Sequence, residues 1–410
     1  MSQRPKVSIC IPSYNHARFL PAAIESALAQ TYRDFEIVIV DDGSTDESLS
    51  IAEAYAARYP SLIRVLTHPE HRNLGIAKTS NLAMRSARGE FWSGLPSDDV
   101  LFPAKLEVQV AYLEAHPELG WVYGSAEFID EAGGRQPQLG LFGEDLSQHE
   151  NPVLELIERN VIPAMTILVR RELLERLGGE DESLLYSDWD SWVRLMSISK
   201  FAYLDQPLVG YRIHGHNTSL EVESLVNLSR ALEVMRALRG KAASVGQALA
   251  LPRTQALLDL QMTYAYFCLG QPDQAEQSLA SAFQVDHSLG RDEKFFAAWL
   301  RRRAFEQSYP FPLGSPQRGF SSWLLPQLGT AVTRRLQHQA AAIDFARRAF
   351  ENREINPAET RRLAFACLAR DPAWLKDKSF CSLLGESVLG VKIMNRLRML
   401  FRKTKPGSSR

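Results

Sequence analysis

Two adjacent carboxylates, Asp98 and Asp99, close the stretch Phe91-Trp-Ser-Gly-Leu-Pro-Ser-Asp-Asp99. Carboxylates held side by side repel one another and gain from a shared divalent cation. A strand that carries them at its carboxyl end delivers them to the edge where open α/β sheets bind ligands. Taken alone, the stretch also reads as a solvated turn after a strand. Two further clusters decide between these readings: Pro12-Ser13-Tyr14-Asn15, and Asp41-Asp42-Gly43-Ser44-Thr45-Asp46. An aromatic ring, a carboxamide and several carboxylates at one edge would repel a bare phosphate. They suit a nucleotide whose base and ribose donate hydrogen bonds and whose diphosphate arrives with a metal. Asp41 and Asp46 also suit helix capping at the positive end of the following helix dipole.

The surrounding pattern supplies the elements that would bring these clusters together. Val7–Ile11 and Phe35–Val40 are continuous apolar runs, as expected of strands buried on both faces, and Leu62–Leu66 is a third short strand. Between them, Ser13 or Asn15 can start a helix with the stripe Phe19, Leu20, Ala23, Ile24, Ala27 and Leu28. Another helix runs to about Tyr59, and Gly75 opens one that runs to about Ala87, with Gly89 ending it. Strands alternating with helices at this spacing predict a parallel α/β sheet of βαβ units. Neither Gly-x-Gly-x-x-Gly after the first strand nor Gly-x-x-x-x-Gly-Lys-Ser/Thr is present, which excludes the usual dinucleotide fingerprint and the P-loop. Further on, Gly133-Gly134-Arg135 reads as a hairpin tip, Pro137–Asn151 as a loop, and Pro163–Val169 as an entry into a strand.

Composition bounds the class. At 410 residues two domains are expected, and a net charge of −1 offers no global field for nucleic acid. The cysteines, Cys10, Cys268, Cys367 and Cys381, lack metal-type spacing and read as reduced thiols. The amino terminus leads into a strand without a secretory apolar region, and no run approaches the roughly 18 apolar residues that span a bilayer. A cytoplasmic location is expected, with any membrane contact peripheral, on the inner face of the plasma membrane.

Several ordered motifs carry a resemblance. Val-Ser-Ile-Cys-Ile-Pro-Ser-Tyr-Asn15, Ala-Ile-Glu-Ser-Ala-Leu-Ala-Gln-Thr-Tyr32 and Glu-Ile-Val-Ile-Val-Asp-Asp-Gly-Ser-Thr-Asp46 resemble the family 2 glycosyltransferases, which have the GT-A fold. The likeness continues through Asn73-Leu74-Gly75, Ser97-Asp98-Asp99, Pro103-x-Lys105-Leu106-Glu107, Tyr186-Ser187-Asp188-Trp189-Asp190-x-Trp192-x-Arg194-Leu195 and Pro207-Leu208-Val209-x-Tyr211-Arg212-Ile213-His214. It covers residues 1–220 and implies a Rossmann-like, mostly parallel sheet with flanking helices. It also implies a nucleotide-sugar donor, a UDP-sugar by preference, and Mg²⁺ or Mn²⁺ as cofactor.

By that resemblance Pro12, Tyr14 and Asn15 would border the nucleotide, and Asp42 would bind the base at uracil N3–H. Asn73 would belong to the donor site, with Lys78 or Arg72 facing the diphosphate. Asp98 would hold the ribose and Asp99 the metal. The family's Asp-x-Asp-Asp motif has Pro96 at its first position here, so the metal would rest on Asp99, the diphosphate and His214. Asp188 matches the family's general base, with Ser187 in place of the usual Glu. Trp189, Trp192 and Asp190 would border the acceptor, with Asp190 as the fallback base. Core packing is the alternative for Trp189 and Trp192, and an ion pair with Arg194 for Asp190. His216 follows His214 closely, and the Asn217-Thr218-Ser219 sequon has no meaning in a cytosolic chain.

After Ser219 the composition shifts to Ala, Leu, Gln and Arg. Helical periodicity marks Leu225–Leu238, Arg253–Leu269, Pro272–Ala282 and Asp292–Phe305, with Ala340–Phe350 and Pro357–Leu368 beyond the Pro- and Gly-rich Tyr309–Gly329. An all-α domain over 221–390 follows, either tetratricopeptide-like or a bundle extending the catalytic core. Residues 391–410 carry basic side chains and no acidic one, with Val391, Met394, Leu397, Leu400 and Phe401 on one helical face. That pattern suits an anionic membrane surface or packing on the domain. The expected function is an inverting, metal-dependent glycosyltransferase acting on a glycan or lipid-linked glycan in surface polysaccharide synthesis. An inactive GT-A scaffold and a nucleotidyltransferase are the alternatives.

Overall fold

The computed structural model describes residues 4–215, 217, 224–289, 292, 295, 299, 320–324 and 356–370. Its contacts divide the chain into Met1–Ala265 with Ala275–Val285, and Tyr266–Gln274 with Asp286–Arg410. The first unit holds one sheet, built from β1 (Val7–Ser13), β2 (Phe35–Asp41), β3 (Ile63–Thr67), β4 (Phe91–Gly94), β5 (Val100–Leu101), β6 (Trp121–Ile129), β7 (Leu141–Phe142), β8 (Leu168–Arg170) and β9 (Phe201–Arg212). The strand order is β3-β2-β1-β4-β8-β6-β9-β5, with β7 beside β6. The segment β3-β2-β1-β4 is parallel. Strand β8 runs antiparallel between β4 and β6, and β6 then pairs in parallel with β9.

The central strands are apolar because both faces are covered: Val7, Ile9, Ile11, Ile37 and Ile39 are completely buried. Helices α1 (Leu20–Leu28), α2 (Ser48–Arg58) and α3 (Ile76–Ser86) supply the crossovers that the strand–helix alternation predicts. Helix α4 (Lys105–Ala115) follows β5. Helices α5 (Pro152–Glu158), α6 (Arg171–Leu177) and α7 (Ser187–Ile198) complete the face that carries Asp188. This is the GT-A arrangement, with its strand ends gathered at one edge.

Local readings shift in three places. Helix α1 starts at Leu20, not at Ser13 or Asn15. Ser13 is the last residue of β1, and Asn15 turns the chain at a φ of 51° while its Oδ1 accepts from the Thr45 amide. Gly89 does not end α3, which the chain already leaves at Ala87 with an extended ψ of 136°. Gly89 is needed instead for close approach, since a Cβ there would lie 2.6 Å from the Ser8 nitrogen. Beside it a buried polar knot forms, with Ser8 Oγ donating to Glu36 and accepting from the Arg88 and Gly89 amides. Third, Pro163–Val169 enters its strand through a 3₁₀ turn at Ala164–Thr166, because the Pro163 carbonyl is taken by the amide and hydroxyl of Thr166.

Helix α8 (Ser224–Val245) packs on α7, and α9 (Gln247–Ala250), α10 (Pro252–Cys268) and α11 (Pro272–Val285) follow. The second unit includes helices Phe320–Leu324 and Pro357–Arg370, and its Phe267 ring lies 5.1 Å from that of Phe320. The expectations for His216, for Ala340–Phe350 and the 391–410 tail, and for most of Asp292–Phe305 and Tyr309–Gly329, lie outside the described residues. No described helix is long and apolar enough to cross a membrane.

The Gly89 contact gives a direct test. Gly89→Ala forces the Val7–Ser8 backbone to move, and urea unfolding is expected to show a loss of about 1–3 kcal/mol. Unchanged stability would mean that the close approach is not required.

Candidate active site

Three loops at the carboxyl ends of β1, β2 and β3 form one hydrogen-bonded unit. The Asn15 amide donates to Ser44 Oγ at 3.0 Å, and the Ala17 amide donates to Asp46 Oδ2 at 2.9 Å. Asp41 Oδ1 accepts from the Gly43 and Ser44 amides, so this carboxylate closes its own turn. Asp42 reaches the third loop: its two oxygens accept from the Leu74 amide at 2.7 Å and the Gly75 amide at 3.0 Å. The sequence expectations of capping at Asp41 and Asp46 and of base contact at Asp42 thus fall on residues that build the loop floor. Tyr14 is exposed at its rim, as is Asn73, and Lys78 stands half-exposed in the first turn of α3. Pro12 is the penultimate residue of β1, the strand that leads into the first loop.

The Phe91 strand ends in a turn closed by the Asp99 amide donating to the Pro96 carbonyl at 3.1 Å. Pro96 therefore shapes the turn that presents the two carboxylates. They point to different partners. Asp99 is 1% exposed, and its Oδ1 accepts from the Arg212 amide at 2.8 Å. Burial, reinforced by the neighbouring Asp98 charge, raises its pKa well above the usual carboxylate range. Asp98 Oδ2 lies 3.1 Å from His214 Nε2. The structure thus brings Asp98, not Asp99, to His214.

Arg212 fastens this corner. Its Nε donates to the Asp98 carbonyl at 2.7 Å, and its Nη1 donates to the Asp130 and Glu131 carbonyls. The turn at Gly133–Gly134 expected as a hairpin tip supplies these carbonyls through Asp130, whose carboxylate also gathers the Ala132 and Gly134 amides. The His214 amide donates to Asn217 Oδ1 at 2.6 Å, so Asn217 sets the loop after β9. The His214 ring stacks on Phe19 at 4.7 Å. His16, which the sequence reading passed over, also comes here: one ligand atom from each of His16, Asp98 and His214 lies within 4.8 Å of the others. An imidazole–imidazole–carboxylate set of this span fits a divalent cation. Its only signal in the sequence is its place directly after Asn15.

Asp188 lies in the first turn of α7. Its Oδ1 accepts from the Trp189 amide at 2.7 Å, and Asn160 Nδ2 approaches its Oδ2 at 3.5 Å. Burial raises its pKa above the usual aspartate value. No hydrogen bond links it to Asp98 or His214 among the described residues. Trp189 is 3% exposed, and its Nε1 donates to the Leu156 carbonyl. Asp190 is completely buried between Arg194 Nε at 2.6 Å and Lys241 Nζ at 2.9 Å. These two residues hold α7 in place through packing and charge. Ser187 donates from Oγ to Glu180 at 2.6 Å. Glu180 returns a carboxylate to the neighbourhood, and desolvation pushes it up to about 7.

The family model described as glycosyl transferase family 2 matches residues 8–178. An uncharacterized glycosyltransferase of Nostoc sp. is 32% identical over 239 residues, covering 55% of this chain and 70% of the relative. The chain belongs to glycosyl transferase family 2. An uncharacterized glycosyltransferase of Rickettsia prowazekii is 33% identical over 221 residues, 52% of this chain, and the chain spans 66% of that relative's length. Chondroitin synthase of Escherichia coli is 31% identical over 222 residues, covering 53% of this chain and 30% of the synthase. Among solved structures, S. aureus TarS 1–349 in complex with UDP aligns at a TM-score of 0.48 and 18% identity, over 94% of this chain and 92% of that one.

Glu180 makes stability depend on pH in a stated direction. Its folded pKa of about 7 exceeds the ordinary glutamate value of 4.5, so the native state holds a proton that the unfolded state has released between these pH values. Stability from this group falls as pH rises through that window and stays low above it. Glu180→Gln is expected to be more stable than the natural chain at pH 8, by on the order of 2 kcal/mol, with the difference closing below pH ~5. A difference in urea unfolding that did not change with pH would contradict this.

Proposed function

We propose that this chain is an inverting glycosyltransferase that moves a sugar from a nucleoside-diphosphate donor, a UDP-sugar, to a glycan or lipid-linked glycan acceptor. The observation that carries the reading is the approach of Asp98 to His214, 3.1 Å apart at the edge where three clamped loops meet. The first two of those loops form the nucleotide floor. Tyr14 and Asn73 stand exposed at its rim, where a base and ribose would lie. Asp42 holds the 74–75 backbone in place for them and offers its carboxylate to the base. Lys78, near the positive end of α3, favours the negative charge of a diphosphate.

Asp98 and His214 would hold the divalent cation, Mg²⁺ or Mn²⁺, with Asp99 buried behind them as the group that positions Arg212. Bound there, such an ion supplies positive charge to a departing diphosphate. Asp188 accepts the proton of the acceptor hydroxyl as its oxygen bonds to the anomeric carbon. The bond from that carbon to the diphosphate oxygen breaks on the opposite face, and the nucleoside diphosphate leaves with the electron pair. The raised pKa of Asp188 keeps its basicity higher than that of an exposed aspartate, which favours proton transfer. Membership in a family with chondroitin synthase among its relatives supports a polysaccharide product.

Asp188→Asn keeps the volume of the side chain and removes the base. Transfer from a UDP-sugar is expected to fall by at least about 100-fold while UDP affinity with Mn²⁺, read by calorimetry, is retained. Full transfer by this variant would assign the proton to another group.

A further inference from the structure

We infer that His16 is a third protein ligand of the cation centre at Asp98 and His214, so that the chain binds a first-row transition-metal dication before any nucleotide arrives. This rests on the reading of that centre given above and adds a ligand and a selectivity to it.

The geometry starts from the loop after β1. The His16 amide donates to Ser48 Oγ at 3.0 Å, and its Nδ1 lies 2.8 Å from Ser97 Oγ, one residue before Asp98. The ring stands edge-on to Phe19 at 6.1 Å and perpendicular to the His214 ring at 5.9 Å, with an interplanar angle of 85°. Both imidazoles therefore share Phe19 as a wall, and both are tied to loops that other contacts fix. Ligands about 2.1 Å from one ion lie about 3 Å apart when adjacent and about 4 Å apart when opposite. The 3.1 Å between Asp98 and His214 matches the adjacent case. The 4.8 Å limit on the whole set leaves less than about 1 Å of closure for the widest pair.

Two consequences follow from the donor set. Mg²⁺ prefers oxygen ligands and retains water, so a centre with one carboxylate takes it up mainly with the diphosphate. Two imidazoles and one carboxylate instead favour Mn²⁺, Co²⁺ and Zn²⁺, and three positioned ligands do not wait for the nucleotide. His16 thus supplies, from the end of a different strand, a ligand that Pro96 does not.

The test is a Co²⁺ titration of the full chain without nucleotide, followed by visible d–d absorption and calorimetry. It compares the natural chain with His16→Ala, His16→Gln and His214→Ala, each checked for folding by circular dichroism. One Co²⁺ is expected to bind the natural chain, with more than about tenfold weaker binding in each variant. Mg²⁺ at equal concentration is expected to leave the Co²⁺ bands unchanged. Wild-type Co²⁺ affinity in both His16 variants, or no Co²⁺ uptake until UDP is added, would overturn the inference and leave Asp98 and His214 as the centre. Failure of any dication to bind even with UDP would remove that reading as well.

Discussion

The hydrogen bond from the Arg212 amide to the buried Asp99 carboxylate is the constraint on which the candidate site depends. It joins the turn between β4 and β5 to the end of β9 across 113 residues of sequence. A carboxylate that is 1% exposed is tolerated only where such donors meet it, and losing one would leave a buried group unpaired. With Asp99 turned inward, the Pro96–Asp99 turn has to direct Asp98 the other way. The Arg212 side chain then grips the Asp98 carbonyl from the same side, and His214, two residues on, arrives at the Asp98 carboxylate. One inward carboxylate thereby makes its neighbour available for chemistry.

The opposite wall is built by the same economy of donors and acceptors. Asp41, Asp42 and Asp46 accept backbone amides from three loops, so strongly acidic sequence becomes rigid structure and not merely negative surface. Farther along, Asp190 binds Arg194 and Lys241, fixing α7 to the α6–α7 connection and to α8, and Asp188 is held at the start of that helix. Asp188 and Asp190 are close in sequence, yet Asp190 is paired with two cations while Asp188 meets only amide donors among the described residues.

That adjacency is why the sequence was legible in some respects and silent in others. Continuous apolar runs at Val7–Ile11 and Phe35–Val40 have few alternatives to buried parallel strands, and the motifs at their ends identified the family. Asp98 and Asp99 could not be distinguished by type, because their difference comes from the turn and from a partner on β9. His16 meets Asp98 and His214 only through tertiary folding, and no local spacing signals it. Gly89 looked like a helix terminator because the pattern of α3 ends near it, whereas its reason is the Ser8 backbone against which it packs. Ser187 stands where the resemblance expects a Glu, and the carboxylate of Glu180, seven residues earlier, lies within hydrogen-bond reach of it.

The central claim is that Asp98 and His214 form the cation side of a nucleotide-sugar site. Anomalous diffraction from crystals grown with UDP and Mn²⁺ tests it most directly. A single manganese peak bonded to Asp98 and His214 is expected, with UDP lying over the loops that carry Asn15, Asp42 and Asn73. A peak bonded elsewhere, or UDP bound without manganese at that corner, would contradict it.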